Sequence, residues 1–291
     1  MKQFKHSLDG FRFWRRRVGT RLMLAFFMLL CPPTFAQDEA DTLSQAEAVQ
    51  RLRDLHEVLL NCAVDPGERE DSRARDLAER AIAFLGGHEA LAIPQSRHST
   101  GRFVIAGAIV GPWTNIAANP GRAYTLIELD EDARIEEWID GDAGWELGTD
   151  DEVTRFEGRD LADRMRSSRF QLLRDLLSAD RLCVEEPVEG ADPSQVRLRG
   201  SFADGMTELN SVFRITLEEA TGKPVDVHML LSTDQDPTYL VGQLDDYREV
   251  DGIFYPHLIS VRLGHFELFR IEIDQIEHDV DVSDDMFHPQ R

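Results

Sequence analysis

The chain has 291 residues, with 54 acids against 32 basic residues and a formal net charge of −22. Such a balance repels phosphate backbones and anionic head groups at long range, which argues against a nucleic-acid partner. The acids alternate with apolar residues, 42% of the chain, so this is a folding sequence and not a disordered acidic tail.

The first elements read as an address. Seven basic residues against the single acid Asp9 precede the apolar run "LMLAFFMLL" (22–30), and small Thr34 and Ala36 follow it. That is the anatomy of a secretory signal peptide over 1–36, cut after Ala36. Nine apolar residues are too few to cross a bilayer as a helix, which takes about 20. Cys31 is a poor lipidation site because bulky Leu30 precedes it. The arginine-rich leader points to a periplasmic protein with no transmembrane anchor. Its removal leaves 25 basic and 53 acidic residues, a net of −28, and Lys223 as the one lysine. Two cysteines remain, Cys62 and Cys183, and an oxidising compartment makes a disulfide between them possible, with two buried thiols as the alternative.

The next elements are helical. "LSQAEAVQRLRDLHEVLLNC" (43–62) puts Val49, Leu52, Leu55 and Leu59 on one stripe, an N-terminal helical extension over 37–71 that "DPGERED" ends. A second amphipathic helix is expected over 72–91, with Gly86-Gly87 supplying the left-handed residue that stops helices. The period then changes to two. Strands are expected at 101–110, 123–129, 134–139 and 144–147, with turns at "GPWTN" (111–115), "NPGR" (119–122) and "DGDAG" (140–144). "RDLADRMRSSRFQLLRDLLSAD" predicts one helix over 159–180, whose stripe includes Met165, Leu172 and Leu176 and which must lie on something apolar.

Strands resume to the end. Phe213, Ile215 and Leu217 share a face, as do Val225, Val227, Met229 and Leu231 beyond the "TGKP" turn. "DQDP" (234–237) turns the chain again. In "LDDYREVDGIFYPH" (244–257) the acids flank Asp251-Gly252, the strongest short hairpin signal, so this stretch is a hairpin and not an acidic catalytic site. Pro256 lacks a ladder N–H and is expected at a sheet edge or beside a bulge.

"AIAFLGGHEAL", "TGRFVIAG", "TGKP", "LDDYREVDGIFYPH" and the closing "IEIDQIEHDVDVSDDMFHP" together resemble the bacterial outer-membrane lipoprotein-sorting superfamily, which includes the LolA/LolB-type carriers. The likeness spans roughly residues 74 to 289. It implies a LolA-like domain over 72–291: a mainly β, α+β fold in which an unclosed, strongly curved antiparallel half-barrel of about ten strands is capped by amphipathic helices. It also implies an apolar concavity that holds acyl chains, hence a lipid or acylated protein as partner.

No protease, nucleotide-binding or clustered-cysteine motif is present, so no enzyme, cofactor or metal is expected. His257 and His265 with Asp246 could be drawn together by neighbouring strands, but hydrogen-bonded strand histidines are far commoner. "DGDAGWELGTDD" (140–151) fails as a calcium loop because Gly144 and Trp145 occupy the positions of a ligand and the turn glycine. The residues expected to line the concavity are Phe103, Ile105, Trp138, Phe213, Ile215, Met229 and Leu231 on the sheet, with Met165, Leu172 and Leu176 on the covering helix. In a filled sandwich the same residues would simply be core. Nothing calls for an oligomer, and a monomer is expected. A sensor or interaction module of the same fold, with a segment received at the concavity or at the edge near Pro256, is the first alternative, and an uncharacterised hydrolase or metal-site enzyme is the second.

Overall fold

The computed structural model describes residues 71–290 apart from 106–107, 131–132, 149–151, 159–160, 162–163, 166–170, 180, 186, 188–191, 202–211, 233–236 and 264–265. Helix α1 (Ser72–Phe84) and the short α2 (Gly87–Ala92) come first. Six strands follow: β1 (Ser96–Ile105), β2 (Ala108–Ala118), β3 (Arg122–Asp130), β4 (Ala133–Asp140), β5 (Ala143–Leu147) and β6 (Val153–Arg155). After α3 (Leu172–Leu177) come β7 (Arg181–Val184), β8 (Gln195–Ser201), β9 (Val212–Glu218) and β10 (Pro224–Ser232). β11 (Pro237–Val250), β12 (Ile253–Leu263), β13 (Phe266–His278) and a 3-10 turn at Asp284–Phe287 complete the described chain.

The thirteen strands form one antiparallel sheet in the order β6-β5-β4-β3-β2-β1-β13-β12-β11-β10-β9-β8-β7. Edges β6 and β7 are not hydrogen-bonded to each other, so the sheet does not close, and it has three more strands than the ten or so that the resemblance implies. Each half is a meander, and the first and last strands meet in the middle. The link from β6 to β7 therefore starts at one edge and ends at the other. It crosses the sheet as a strap over the face that carries the core: Leu161 and Met165 pack against Ala123, Ile139 and Phe156, and Leu172, Leu176 and Leu177 join the main cluster.

Asp71 caps α1, accepting the N–H groups of Arg73 (3.0 Å) and Ala74 (3.3 Å). The helix buries Ala74, Leu77, Ala78, Ala81 and Ile82; full burial of a leucine or isoleucine is worth about 1.5–3 kcal/mol. Gly86 (φ 123°) and Gly87 (φ 84°) then break the expected 72–91 helix into two. Gly86 is also a close approach, since a Cβ there would stand 2.3 Å from the Gly252 carbonyl oxygen at the tip of the β11–β12 hairpin.

Three expectations are corrected. "GPWTN" is not a turn: Gly111 and Pro112 lie inside β2, paired with Phe103 and Arg102. Gly111 is there because a Cβ would sit 1.7 Å from the Glu128 carbonyl oxygen on β3, so the glycine serves contact between strands and not reversal. Pro256 is not on an edge strand, because β12 runs between β11 and β13. The β12–β13 ladder begins only at Leu258, however, and the Phe254 N–H, on the side that Pro256 also faces, bonds Leu85 O at 3.0 Å. The missing N–H of Pro256 thus falls where no ladder runs. Lastly, the helix expected over 159–180 is interrupted at Gln171 (φ −126°, ψ 56°), which precedes the six-residue α3.

Candidate functional site

Strand pairing sorts side chains between the two faces. On the inner face, which bears the core, Phe103 pairs with Gly111 and Ile271, Ile105 with Phe269, Ile215 with Leu198 and Val227, and Phe213 with Gly200 and Met229. Phe103, Phe213, Ile215 and Leu176 are buried in one apolar cluster. Ile105, Met229 and Leu172, with Ile259, Phe269 and Ile271, pack against it while only partly buried. Their places along the strands explain this. The helices sit at the strand ends near Gly222 and Gly252, whereas Ile105 ends β1, Phe269 lies near the start of β13 and Met229 near the end of β10. The apolar inner face therefore runs on past α1 toward the opposite strand ends.

Not every expected lining residue joins this group. Trp138 faces the other way: Ile139 is on the inner face opposite Ala123, and the alternation puts Trp138 on the outer face opposite Tyr124 and Trp145. Met165 belongs to the smaller cluster with Ile139 and Phe156, and so marks where the strap crosses β3–β5. Leu231 lies on β10, paired with Thr238, and its side chain is outside the described set. So are His265, the "DQDP" turn up to Gln235 and Asp236, and the expected helix at 43–62 with Cys62. Cys183 is half-buried, with its sulfur 3.8 Å from Arg199 Nη2.

The inner face also holds charge that the sequence did not single out. Glu137 and Glu146 are register partners on β4 and β5 and face each other. Arg164 from the strap hydrogen-bonds Glu137 Oε2, stands 3.4 Å from Glu146 Oε2, and stacks over Phe156 with 5.2 Å to the ring centroid. Like charges directly opposite on a sheet repel, so the arginine both offsets that repulsion and fastens the strap. Glu137 looked like one acid among many in "RIEEWI", and only the pairing gives it a role.

The polar groups near the β11–β12 turn form a chain. Tyr255 Oη is 2.9 Å from His278 Nε2, and His278 Nδ1 is 3.0 Å from Asp251 Oδ2. The Arg97 guanidinium lies 5.6 Å from the Tyr255 ring centre. Burial pushes the Tyr255 hydroxyl up from its ordinary value, against the opposing charge of Arg97, and burial also lowers the Arg97 guanidinium. These groups tie β12 to β13 across the gap where their ladder is absent. His257 is buried with Nδ1 3.1 Å from the Tyr255 carbonyl oxygen, a hydrogen-bonded strand histidine. Among the described residues no three metal-ligating side chains converge, and no helix is long and apolar enough to cross a membrane.

No family model and no curated protein matches the chain. Solved structures do. A DUF1329 family protein from Desulfovibrio piger is 16% identical, with 76% of this chain and 98% of that one covered at a TM-score of 0.49. A LolA superfamily protein from Nitrosomonas europaea is 11% identical, with 74% and 97% covered at a TM-score of 0.45. This chain is similar to both.

Proposed function

We propose that the protein is a periplasmic, non-enzymatic carrier that holds the acyl chain of a lipid or an acylated protein on the inner face of its half-barrel. One observation carries this reading: the apolar inner face continues beyond the helices, where Ile105, Met229, Ile259, Phe269 and Ile271 remain only partly buried. A sheet that does not close leaves such a surface to be covered by helices or by a ligand. An acyl chain suits it because the contacts are apolar and continue from strand to strand, Ile259 opposite Ile271 and Phe269 opposite Ile105.

Lipid extraction and mass spectrometry of the protein purified from the cell envelope should find a stoichiometric acyl species. In a fluorescent fatty-acid titration, Met229→Asp should lower affinity about tenfold or more, because a charge would be buried against the chain. Asp246→Ala, at an exposed position, should leave affinity unchanged in the same titration. A folded protein that brings no lipid with it and binds no fatty acid would sink the carrier reading in favour of a module that receives a protein segment.

A further inference from the structure

The chain does not leave the fold after β13. Asp279 (φ 50°) accepts the Gln95 N–H at 2.8 Å, and the chain then turns back onto the outer face of β3–β5. Arg122 and Asp140 are register partners there, beside the aromatic row Tyr124, Trp138 and Trp145. Three side chains of the returning arm meet this surface. Asp284 Oδ1 is 2.7 Å from Arg122 Nη1. The Phe287 side chain, 0% exposed, lies with its ring centroid 4.8 Å from that guanidinium. His288 Nε2 is 3.1 Å from Asp140 Oδ2, and its ring stands edge-on to Trp145 at 5.2 Å between centroids. Between the two attachments, Asp279–Val282 bridges a cleft of about 410 Å³ walled by Gln95, Asn119 and Arg122.

We propose that the outer face of β3–β5 is a recognition site for a peptide segment bearing an acid, an aromatic residue three positions on and a histidine next to it. In a single copy the site is filled by the chain's own Asp284–His288, and its partner is the same segment of a second copy. Each side of the motif has its receptor group: a cation for the acid, a buried seat under that cation for the ring, an anion and an indole for the histidine. Exchange between copies makes the same contacts in trans, which is what lets such swaps occur at low cost. The Val280 carbonyl oxygen accepts the Ser96 hydroxyl at 2.9 Å, so the hinge is the stretch beyond it, Asp281–Val282, which runs up to the Asp284 contact. A tether this short gives its own arm an effective concentration on the order of millimolar, so at ordinary concentrations the site is filled in cis and the protein stays monomeric.

A labelled synthetic peptide of residues 283–291 and the full chain test this by fluorescence anisotropy. The apparent affinity for the peptide scales with the fraction of sites that their own arm leaves open, so Phe287→Ala should bind it at least about tenfold more tightly than the parent. Adding Arg122→Gln to that variant should abolish the gain. Should Phe287→Ala fail to fold, Asp284→Ala serves instead: its side chain is 92% exposed, and a smaller gain is expected. A folded arm variant that binds the peptide no better than the parent, or a gain indifferent to Arg122→Gln, would overturn the proposal.

Discussion

Asp71 and Val184, 113 residues apart, are joined at 3.0 Å from the carboxylate Oδ2 to the backbone N–H. The other oxygen of the same carboxylate caps α1. Glu185 donates its N–H to Arg197 on β8, so the neighbouring Val184 N–H points away from the sheet, toward the open side of β7. One side chain thus starts the first described helix and satisfies a donor on an edge strand, where free donors invite unwanted pairing.

Asp71→Ala should therefore cost more than an ordinary cap. Loss of the cap and of the edge hydrogen bond together is worth about 1–3 kcal/mol. Asp71→Asn can still cap through its amide oxygen and should fall between the two. Urea midpoints that rank the three proteins otherwise would contradict the double role.

The glycine pair after α1 gives a sharper contrast. Gly86→Ala meets both a positive φ and the Gly252 carbonyl oxygen, whereas Gly87→Ala meets only the positive φ, with nothing within 4 Å of its Cβ. Backbone strain alone costs on the order of 1 kcal/mol. Gly87→Ala should lose about that much, and Gly86→Ala clearly more, in parallel thermal melts.

Three of the chain's four tyrosines resist ionisation. Burial, then the hydrogen bond to Glu136, pushes Tyr124 up. Burial, then the Asp245 charge, pushes Tyr247 up, and burial raises Tyr255. A raised folded-state value means that the folded chain keeps its protons longer. This contribution to stability is whole below the ordinary value of 10.0 and is lost as the pH rises above it toward the folded-state values. Alkaline absorbance titration of the native protein should reveal no more than one tyrosine ionising near pH 10, and four after denaturation. Two or more native tyrosines titrating there would contradict the burial.

Arg164→Ala takes from the facing Glu137 and Glu146 the cation that bridges them. Since the arginine is 43% exposed, the loss should be modest, about 1–2 kcal/mol. Glu146→Gln in the same chain should recover part of it. Protease cleavage within the strap should speed up in Arg164→Ala and slow again in the double variant; additive effects would mean that the residues do not act as a unit.

Much of this fold was legible from local signals. The two-residue period placed β3, β4 and β5 within a residue or so, and Asp251-Gly252 marked its hairpin. Where reading failed, the deciding partner was distant. Gly111-Pro112 resembles a turn until Glu128 of the next strand is seen against it. Pro256 resembles an edge residue because the sequence cannot tell that one ladder begins two residues later. The apolar alternation picked out Phe103, Phe213 and Ile215 together, yet it placed Trp138 with them, because alternation within one strand does not say which face of the sheet is inner. The Glu137–Glu146–Arg164 group and the seat of Phe287 depend wholly on register and on chain that returns from elsewhere, so no spacing announces them.

The meeting of β1 with β13 at the centre of the sheet, where Phe103 pairs with Ile271, has a kinetic side. Hairpins within each meander close short loops and can form early, but this central seam must wait for the far end of the chain. Pairings so distant along the sequence slow folding, because the entropy of closing the loop is lost before any contact compensates for it. A chain released N-terminus first would thus hold two separate half-sheets, with bare edges at β1 and β12, until its last strand emerges and joins them. Those two edges, and not the native ones at β6 and β7, are where a holding chaperone would be needed.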